Sequence, residues 1–195
     1  DPDRRQRVLQ LLDQETTRLS TLVDRLLELS RLEAGRGHFV LEPVTIEALV
    51  HEVAARFEPR LNERTKLEVQ VAANLPTVHA DPTALGEVLS NLLDNAFKYT
   101  GDDKHIVIDC SLAKDAIVLA VADNGPGIPR AEQRRVFDRF YRVDGRLSRR
   151  TEGTGLGLAL ASHVVQAMHG RIEVDPDYRN GARFVVRLPR TPKVS

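Results

Sequence analysis

The stretch from Leu85 to Tyr99 constrains the fold more than any other, because its residues need two different surroundings. Read as a helix, Leu85, Val88, Leu89, Leu92 and Ala96 share one face and must pack on something apolar. Glu87, Asn91, Asn95 and Lys98 follow at spacings of four, four and three on another face. Two carboxamides and an ammonium on one stripe suit a phosphate with its metal ion. An Asn oxygen ligates a hard cation such as Mg²⁺, which leans on the substrate's own phosphates, and Lys supplies a point positive charge. The wet side of an ordinary amphipathic helix carries the same residue types, so other stretches have to decide between the two.

Charge and composition narrow the function classes. The 195 residues hold 28 basic and 28 acidic side chains, so no net field recruits nucleic acid or an anionic membrane. Aromatic residues make up only 5% and Trp is absent, which disfavours binding by base stacking on aromatic platforms. The length suffices for one ordinary core plus an appendage. No apolar run is long enough to span a bilayer, and none resembles a signal peptide. The lone cysteine, Cys110, has no internal partner, which fits a reducing compartment; among Ile106, Ile108 and Leu112 it reads as a buried thiol on a strand.

The chain opens inside what reads as a helix over Arg4–Ala34, ~45 Å long at ~1.5 Å per residue, as an excised portion of a longer protein would. Val8, Leu12, Glu15, Leu19, Leu22, Leu26, Leu29 and Glu33 alternate spacings of four and three, a coiled-coil register. Leu9, Leu11, Val23, Leu27 and Leu32 widen the stripe beyond a two-stranded seam and favour a bundle, so this helix needs a partner. Gly35 and Gly37 end it, and a domain boundary is expected between 1–36 and 37–195.

Downstream, a short strand is expected over His38–Pro43, then a helix capped by Thr45 and running to about Asn62. Strands follow at Lys66–Val71 and Thr77–Ala80. Asp81 caps the Asn-bearing helix with Pro82 at its first position, and Gly101 closes it. His105–Leu112 and Asp115–Ala122 read as strands joined at Lys114-Asp115, and Glu132–Phe140 as a short helix. Residues 141–152, carrying Arg142, Arg146, Arg149 and Arg150, read as a mobile loop. A helix with Leu158, Ala161, Val165 and Met168 on its core face stops at Gly170, and strands Arg171–Val174 and Ala182–Leu188 pair across Asn180-Gly181.

Two glycine-rich stretches add chemistry. Gly153-Thr154-Gly155-Leu156-Gly157-Leu158 enters a helix, where backbone amides and the positive end of the helix dipole meet phosphate. Asp123-Asn124-Gly125-Pro126-Gly127-Ile128 follows a buried strand; the carboxylate can accept from an exocyclic amine, and the glycines leave room for a flat ring. Each alone is weak: a capping turn explains the first and an Asx turn the second.

Together, in this order and spacing, the Asn-x-x-x-Asn helix and the two glycine-rich turns resemble the N box and glycine-rich boxes of the catalytic, ATP-binding domain of sensor histidine kinases. Phe137-Asp138-Arg139-Phe140-Tyr141-Arg142 looks like that family's F box. The resemblance covers roughly residues 40–189. The first helix, ending Leu29-Ser30-Arg31-Leu32-Glu33-Ala34-Gly35, resembles the second helix of the family's dimerisation and histidine-phosphotransfer domain. The implied fold is α+β, a two-layer sandwich with a mixed sheet of about five strands and three helices on one face. It is the fold shared with gyrase and heat-shock chaperone ATPases, here preceded by a long coiled-coil helix.

The resemblance also implies roles. Asn95 would ligate Mg²⁺, Asn91 would sit beside the phosphates, and Lys98 would touch phosphate oxygens. Tyr99 would pack near ribose and adenine, Asp123 would accept from the adenine amine, and Gly125, Gly127 and Ile128 would shape the base site. Gly153, Thr154, Gly155, Leu156, Gly157 and Leu158 would bring amides to the phosphates, under a lid formed by 141–152 with Arg142 facing the transferring phosphoryl group. The expected cofactors are ATP and Mg²⁺. The expected partners are a second identical chain and a response regulator, and the expected setting is the cytoplasmic portion of a membrane-anchored bacterial sensor. Glu152 departs from the family's usual Gly, and the phospho-accepting histidine is missing. His51-Glu52 is followed by Val53-Ala54-Ala55 instead of the family's pattern, so His51 reads as a helix-surface residue. Related ATP-hydrolysing machines carry a general-base Glu where this chain has Asn91, and a carboxamide cannot take a proton from water. The competing expectation is a non-catalytic nucleotide-binding and dimerisation module.

Overall fold

The computed structural model describes residues 2–34, 37–143 and 154–190. The chain divides into two compact units, Asp1–Gly37 and His38–Ser195. The first is a single helix, α1 (Pro2–Glu33). Val8, Leu12, Leu19 and Leu26, along its apolar stripe, remain 43–60% exposed. No helix among the described residues is long and apolar enough to cross a membrane.

The second unit runs β1 (Glu42–Val44), α2 (Ile46–Phe57), β2 (Thr65–Val71), β3 (Val78–Ala80), α3 (Pro82–Tyr99), β4 (Lys104–Leu112), β5 (Ala116–Asp123), α4 (Gly157–Ala167), β6 (Arg171–Val174), β7 (Arg183–Pro189). Five strands form one mixed sheet in the order β2-β4-β5-β7-β6, parallel between β2 and β4 and antiparallel elsewhere. β1 and β3 pair separately. Every second residue of the central strands faces the helices: Ile106, Ile108 and Cys110; Ile117, Leu119 and Val121; Phe184, Val186 and Leu188. Leu49, Val50 and Val53 of α2, Leu85, Leu89, Leu92 and Leu93 of α3, and Leu160, Val164 and Val165 of α4 are buried opposite them. Each such leucine contributes about 1.5–3 kcal/mol. Cys110 is buried as expected, and burial pushes its thiol up to about 12, so it is inert.

The other sheet face has no helix. It carries charge pairs: Arg171 to Glu173 along β6, and, reaching across strands, Arg187 to Glu173 and Arg183 to both Asp175 and Asp109. Asp109 lies on β4 and Arg183 on β7, so this side chain passes over β5. Ala120 and Ala122, the β5 residues beneath it, are small enough to let it pass, and Ala120 is fully buried.

Asp81 caps α3 as expected, accepting from the Ala84 amide at 3.0 Å. Several expectations need correction. Thr45 occupies the α2 cap position without a side-chain bond, and α2 is anchored instead by buried Ile46. That helix stops at Phe57, and Glu58–Arg60 form a 3₁₀ turn, because Pro59 has no amide to continue the helical ladder. Residues 38–41 are irregular, since three-residue β3 pairs only with Glu42–Val44. Residues 132–140 are a run of turns around one 3₁₀ turn, Arg135–Phe137, not a helix. Val136 is buried and its neighbour Phe137 sits edge-on to Phe184 at 6.3 Å. Leu158 is only half-buried; α4 starts at Gly157, and Leu156 and Leu160 take the core positions.

Filling the channel under Arg183 tests the account of the helix-free face. Ala120→Leu should cost about 1–3 kcal/mol in urea denaturation, and an unchanged midpoint would contradict it.

Candidate functional site

The site is built around the end of β5. Asp123 is the last residue of that strand, paired with Ile106, and its side chain shares the helical side of the sheet with Val121. It is 6% exposed, one of few buried charged residues among those described. Its Oδ1 accepts from the Gly125 amide at 2.8 Å and the Ala182 amide at 3.2 Å. Both bonds fall on one oxygen, so Oδ2 has no partner among the described residues. Burial raises the carboxyl above its ordinary value, and the two amides only partly offset this. A buried carboxylate with one oxygen left over is an acceptor prepared for a donor from outside the protein.

The backbone closes tightly around it. A Cβ on Gly181 would lie 2.0 Å from the Asp123 carbonyl oxygen, and one on Gly125 would lie 3.1 Å from the Tyr99 carbonyl oxygen. Gly127 has φ +72° and abuts the Gly181 carbonyl. The turn after β5 is thereby pressed against both the C-terminal end of α3 and the start of β7. Tyr99 and Ile128 are half-buried at this junction. The Thr100 hydroxyl is buried there without a partner among the described residues.

On α3, buried Leu85, Val88, Leu89, Leu92 and Ala96 hold the opposite stripe at the surface. Asn91 and Asn95 are half-buried and Lys98 is exposed. Neither carboxamide bonds to another group among the described residues, so both remain available to a ligand. No cluster of three His, Cys, Asp or Glu side chains exists among the described residues. A metal ion here would therefore take most of its ligands from a bound phosphate, which fits Mg²⁺ and one or two protein oxygens.

α4 packs beside α3. Gly155, at φ +71°, accepts from the Phe140 amide at 3.0 Å, and a Cβ there would lie 2.7 Å from Phe140 Cα. Thr154 Oγ1 accepts from the Leu156 amide at 3.3 Å, Leu156 is buried, and Gly157 and Leu158 open the first turn of α4. Arg142 and Tyr141 are half-buried, and the Arg135 guanidinium lies over the Tyr141 ring at 4.3 Å. Gly153 and residues 144–152 of the expected lid lie outside the described residues.

The structure thus brings Asp123, Gly125, Gly127 and the Tyr99 end of α3 into direct contact. Asn124, Thr100, Gly181 and Ala182 also build the site, and sequence reasoning gave them no part in it. Gly181 carried only a hairpin signal; its packing against Asp123 comes from the β5–β7 pairing, which no local pattern announces.

The family described as histidine kinase-, DNA gyrase B- and HSP90-like ATPase matches residues 80–192. The chain belongs to this family. It is 35% identical over 189 residues to the sensor histidine kinase WalK of Bacillus subtilis, covering 94% of this chain and 30% of that protein. It is 33% identical over 183 residues to the alginate biosynthesis sensor protein KinB of Pseudomonas aeruginosa, covering 93% and 30%. Among solved structures it resembles full-length ShkA in complex with AMPPNP (TM-score 0.77, 33% identity, covering 88% of this chain and 36% of that one). It also resembles the mycobacterial sensor histidine kinase MprB (TM-score 0.65, 31% identity, covering 77% and 97%). The chain spans under a third of the length of these two curated relatives. It carries the catalytic domain of a two-component sensor histidine kinase, and the mixed-sheet sandwich is that family's fold.

Asp123→Asn separates charge from shape. The amide keeps an oxygen for the two backbone donors and removes the buried charge. Because the folded state raises the carboxyl pKa, the ionised group costs stability as pH rises from its unfolded to its folded value, and that cost persists at neutral pH. Calorimetric melting at neutral pH should therefore show the variant at least as stable as the parent. A clearly lower melting temperature would mean the charge stabilises the fold.

Proposed function

We propose that residues 37–195 bind Mg-ATP and transfer its γ-phosphoryl group to a histidine, for relay to an aspartate of a response regulator. The observation that carries this is the unshared oxygen of buried Asp123, in a turn pressed against the Tyr99 end of α3 and the Gly181 backbone. An adenine amine is a donor of the right kind for it, and no other is supplied among the described residues. ShkA, 33% identical, is described in complex with an ATP analogue, which supports the same ligand here.

In this mechanism the chain's residues position and neutralise. Asp123 fixes the base, Gly125, Gly127 and Ile128 leave space for it, and Tyr99 packs at the ribose side. Asn95 would lend its oxygen to Mg²⁺, which would supply charge neutralisation at the phosphates. Asn91 and Lys98 contact the phosphates from the same stripe, while Thr154, Gly155, Leu156, Gly157 and Leu158 present amides at the start of α4. Arg142 meets the charge that develops on the moving phosphoryl group. Phosphoryl transfer asks little more of a protein than this. Asn91 has no basic oxygen to activate water, and an imidazole is a nucleophile without such help, so transfer is favoured over hydrolysis.

Helix α1 would be the second helix of a dimerisation and phosphotransfer domain, its exposed leucine stripe meeting helices of a homodimer. It contains no histidine, so the acceptor would come from outside this chain. His51 lies exposed on α2, within the catalytic unit.

Titration calorimetry with AMPPNP and Mg²⁺ tests the proposal. The expected result is saturable binding, weakened roughly 10–100-fold by Asn95→Ala as a lost metal contact would do. Folded protein that takes up no nucleotide would sink it.

A further inference from the structure

The antiparallel pairing of β4 with β5 ends at Ile106 and Asp123, yet β4 begins two residues earlier, at Lys104. On its other side β4 is paired with β2 through Lys104 and His105. On the β5 side those backbone groups would be left without a strand, because the chain turns away at Gly125. The Asn124 side chain fills the gap. Its Oδ1 accepts from the His105 amide at 2.7 Å, and its Nδ2 donates to the Asp103 carbonyl at 2.9 Å. A carboxamide has the same donor and acceptor as a peptide unit, so Asn124 extends the ladder by one side chain while its backbone leaves it.

What this ties together is the site. Asp103 belongs to the short connection, 100–103, that leads from the end of α3 into β4. That connection is itself fixed: Lys104 Nζ donates to the Thr100 carbonyl at 2.8 Å, and Arg64 grips Asp103 at 2.8 and 3.1 Å. Asn124 stands between Asp123 and Gly125, the residue pressed on Tyr99 and Thr100. The clamp therefore joins the turn that holds the base acceptor to the end of the helix that carries Asn91, Asn95 and Lys98.

We propose that Asn124 is a positioning residue for nucleotide binding: its carboxamide sets the spacing between the Asp123 carboxylate and the C-terminal end of α3. One nucleotide must reach both the Asp123 carboxylate and the α3 stripe, and a spacing preset to about 0.5 Å spares it the cost of adapting. The proposal rests on Asp123 being the adenine acceptor. It predicts that Asn124 acts on binding through Asp123, which a general stabilising role would not do.

A double-mutant cycle on the whole chain reads this out, with AMPPNP and Mg²⁺ titrated to millimolar concentration and thermal unfolding followed in parallel. Asn124→Ala should weaken binding roughly fivefold, the loss expected from two solvated hydrogen bonds. In the Asp123→Asn background the same change should cost less than about twofold. Asn124→Asp, which keeps the acceptor for His105 and loses the donor to Asp103, should fall between parent and alanine and guards against a misfolded alanine variant. Equal losses in both backgrounds, or no loss in the parent, would overturn the positioning role. Unchanged binding by Asp123→Asn alone would overturn the adenine site on which it rests.

Discussion

A carboxylate kept almost out of water at the end of a central strand is the constraint around which the second unit is arranged. Such a group is costly unless donors reach it, and at Asp123 they come from two directions: the turn that follows its own strand and the Ala182 amide just before β7. Both donors are backbone, so neither can swing aside. Supplying them requires β5 and β7 to be neighbours, requires Gly181 where any side chain would strike the strand, and requires Gly125 where the chain meets the end of α3. The glycines usually associated with ligand access are, at these positions, conditions for the protein touching itself.

Helix α3 is held with comparable economy. Its buried leucines fix rotation about the axis, the Asp81 cap fixes where it starts, and Lys104 closes over its final carbonyls. With rotation and both ends set, the polar stripe has one direction to face. Arg60 reinforces the outer side, lying over Phe57 and Phe97 at 5.0 and 4.4 Å and pairing with Asp94 at 2.6 Å. α2, its following turn and α3 are thus joined by cation–π contact as well as by the core.

Most of this architecture was legible in the sequence, because strands buried on one face and a helix with a wide apolar stripe leave strong periodic traces. The β4–β5 pair and the buried thiol at Cys110 follow from such patterns, the Asp81 cap from residue types, and the mixed five-stranded sheet from the family resemblance. The failures have local physical causes. Pro59 shortened α2 where apolar spacing ran on past it. Around Val136 and Phe137 the backbone becomes extended at Asp138, so one 3₁₀ turn stands where composition suggested a helix. In the site, Asp123 and the α3 stripe could be singled out from residue type and position. Asn124 could not, because its partners at 103 and 105 adjoin it only once β4 and β5 pair. Gly181 was likewise invisible as part of the site, since what it touches lies 58 residues away in the chain.

The charge lattice on the helix-free face has a further consequence, for what this sheet refuses to do. β2 and β6 are its edges, and an exposed edge offers unpaired backbone groups to any passing strand. Lys66, Glu68 and Gln70 stand on one edge, Arg171 and Glu173 on the other, each ion-paired or hydrogen-bonded to a near neighbour. A foreign strand docking there would have to break those pairs and desolvate the charges on the same face. The arrangement that lets an arginine reach over β5 to β4 therefore also keeps a half-covered sheet from growing by recruiting strands of other chains.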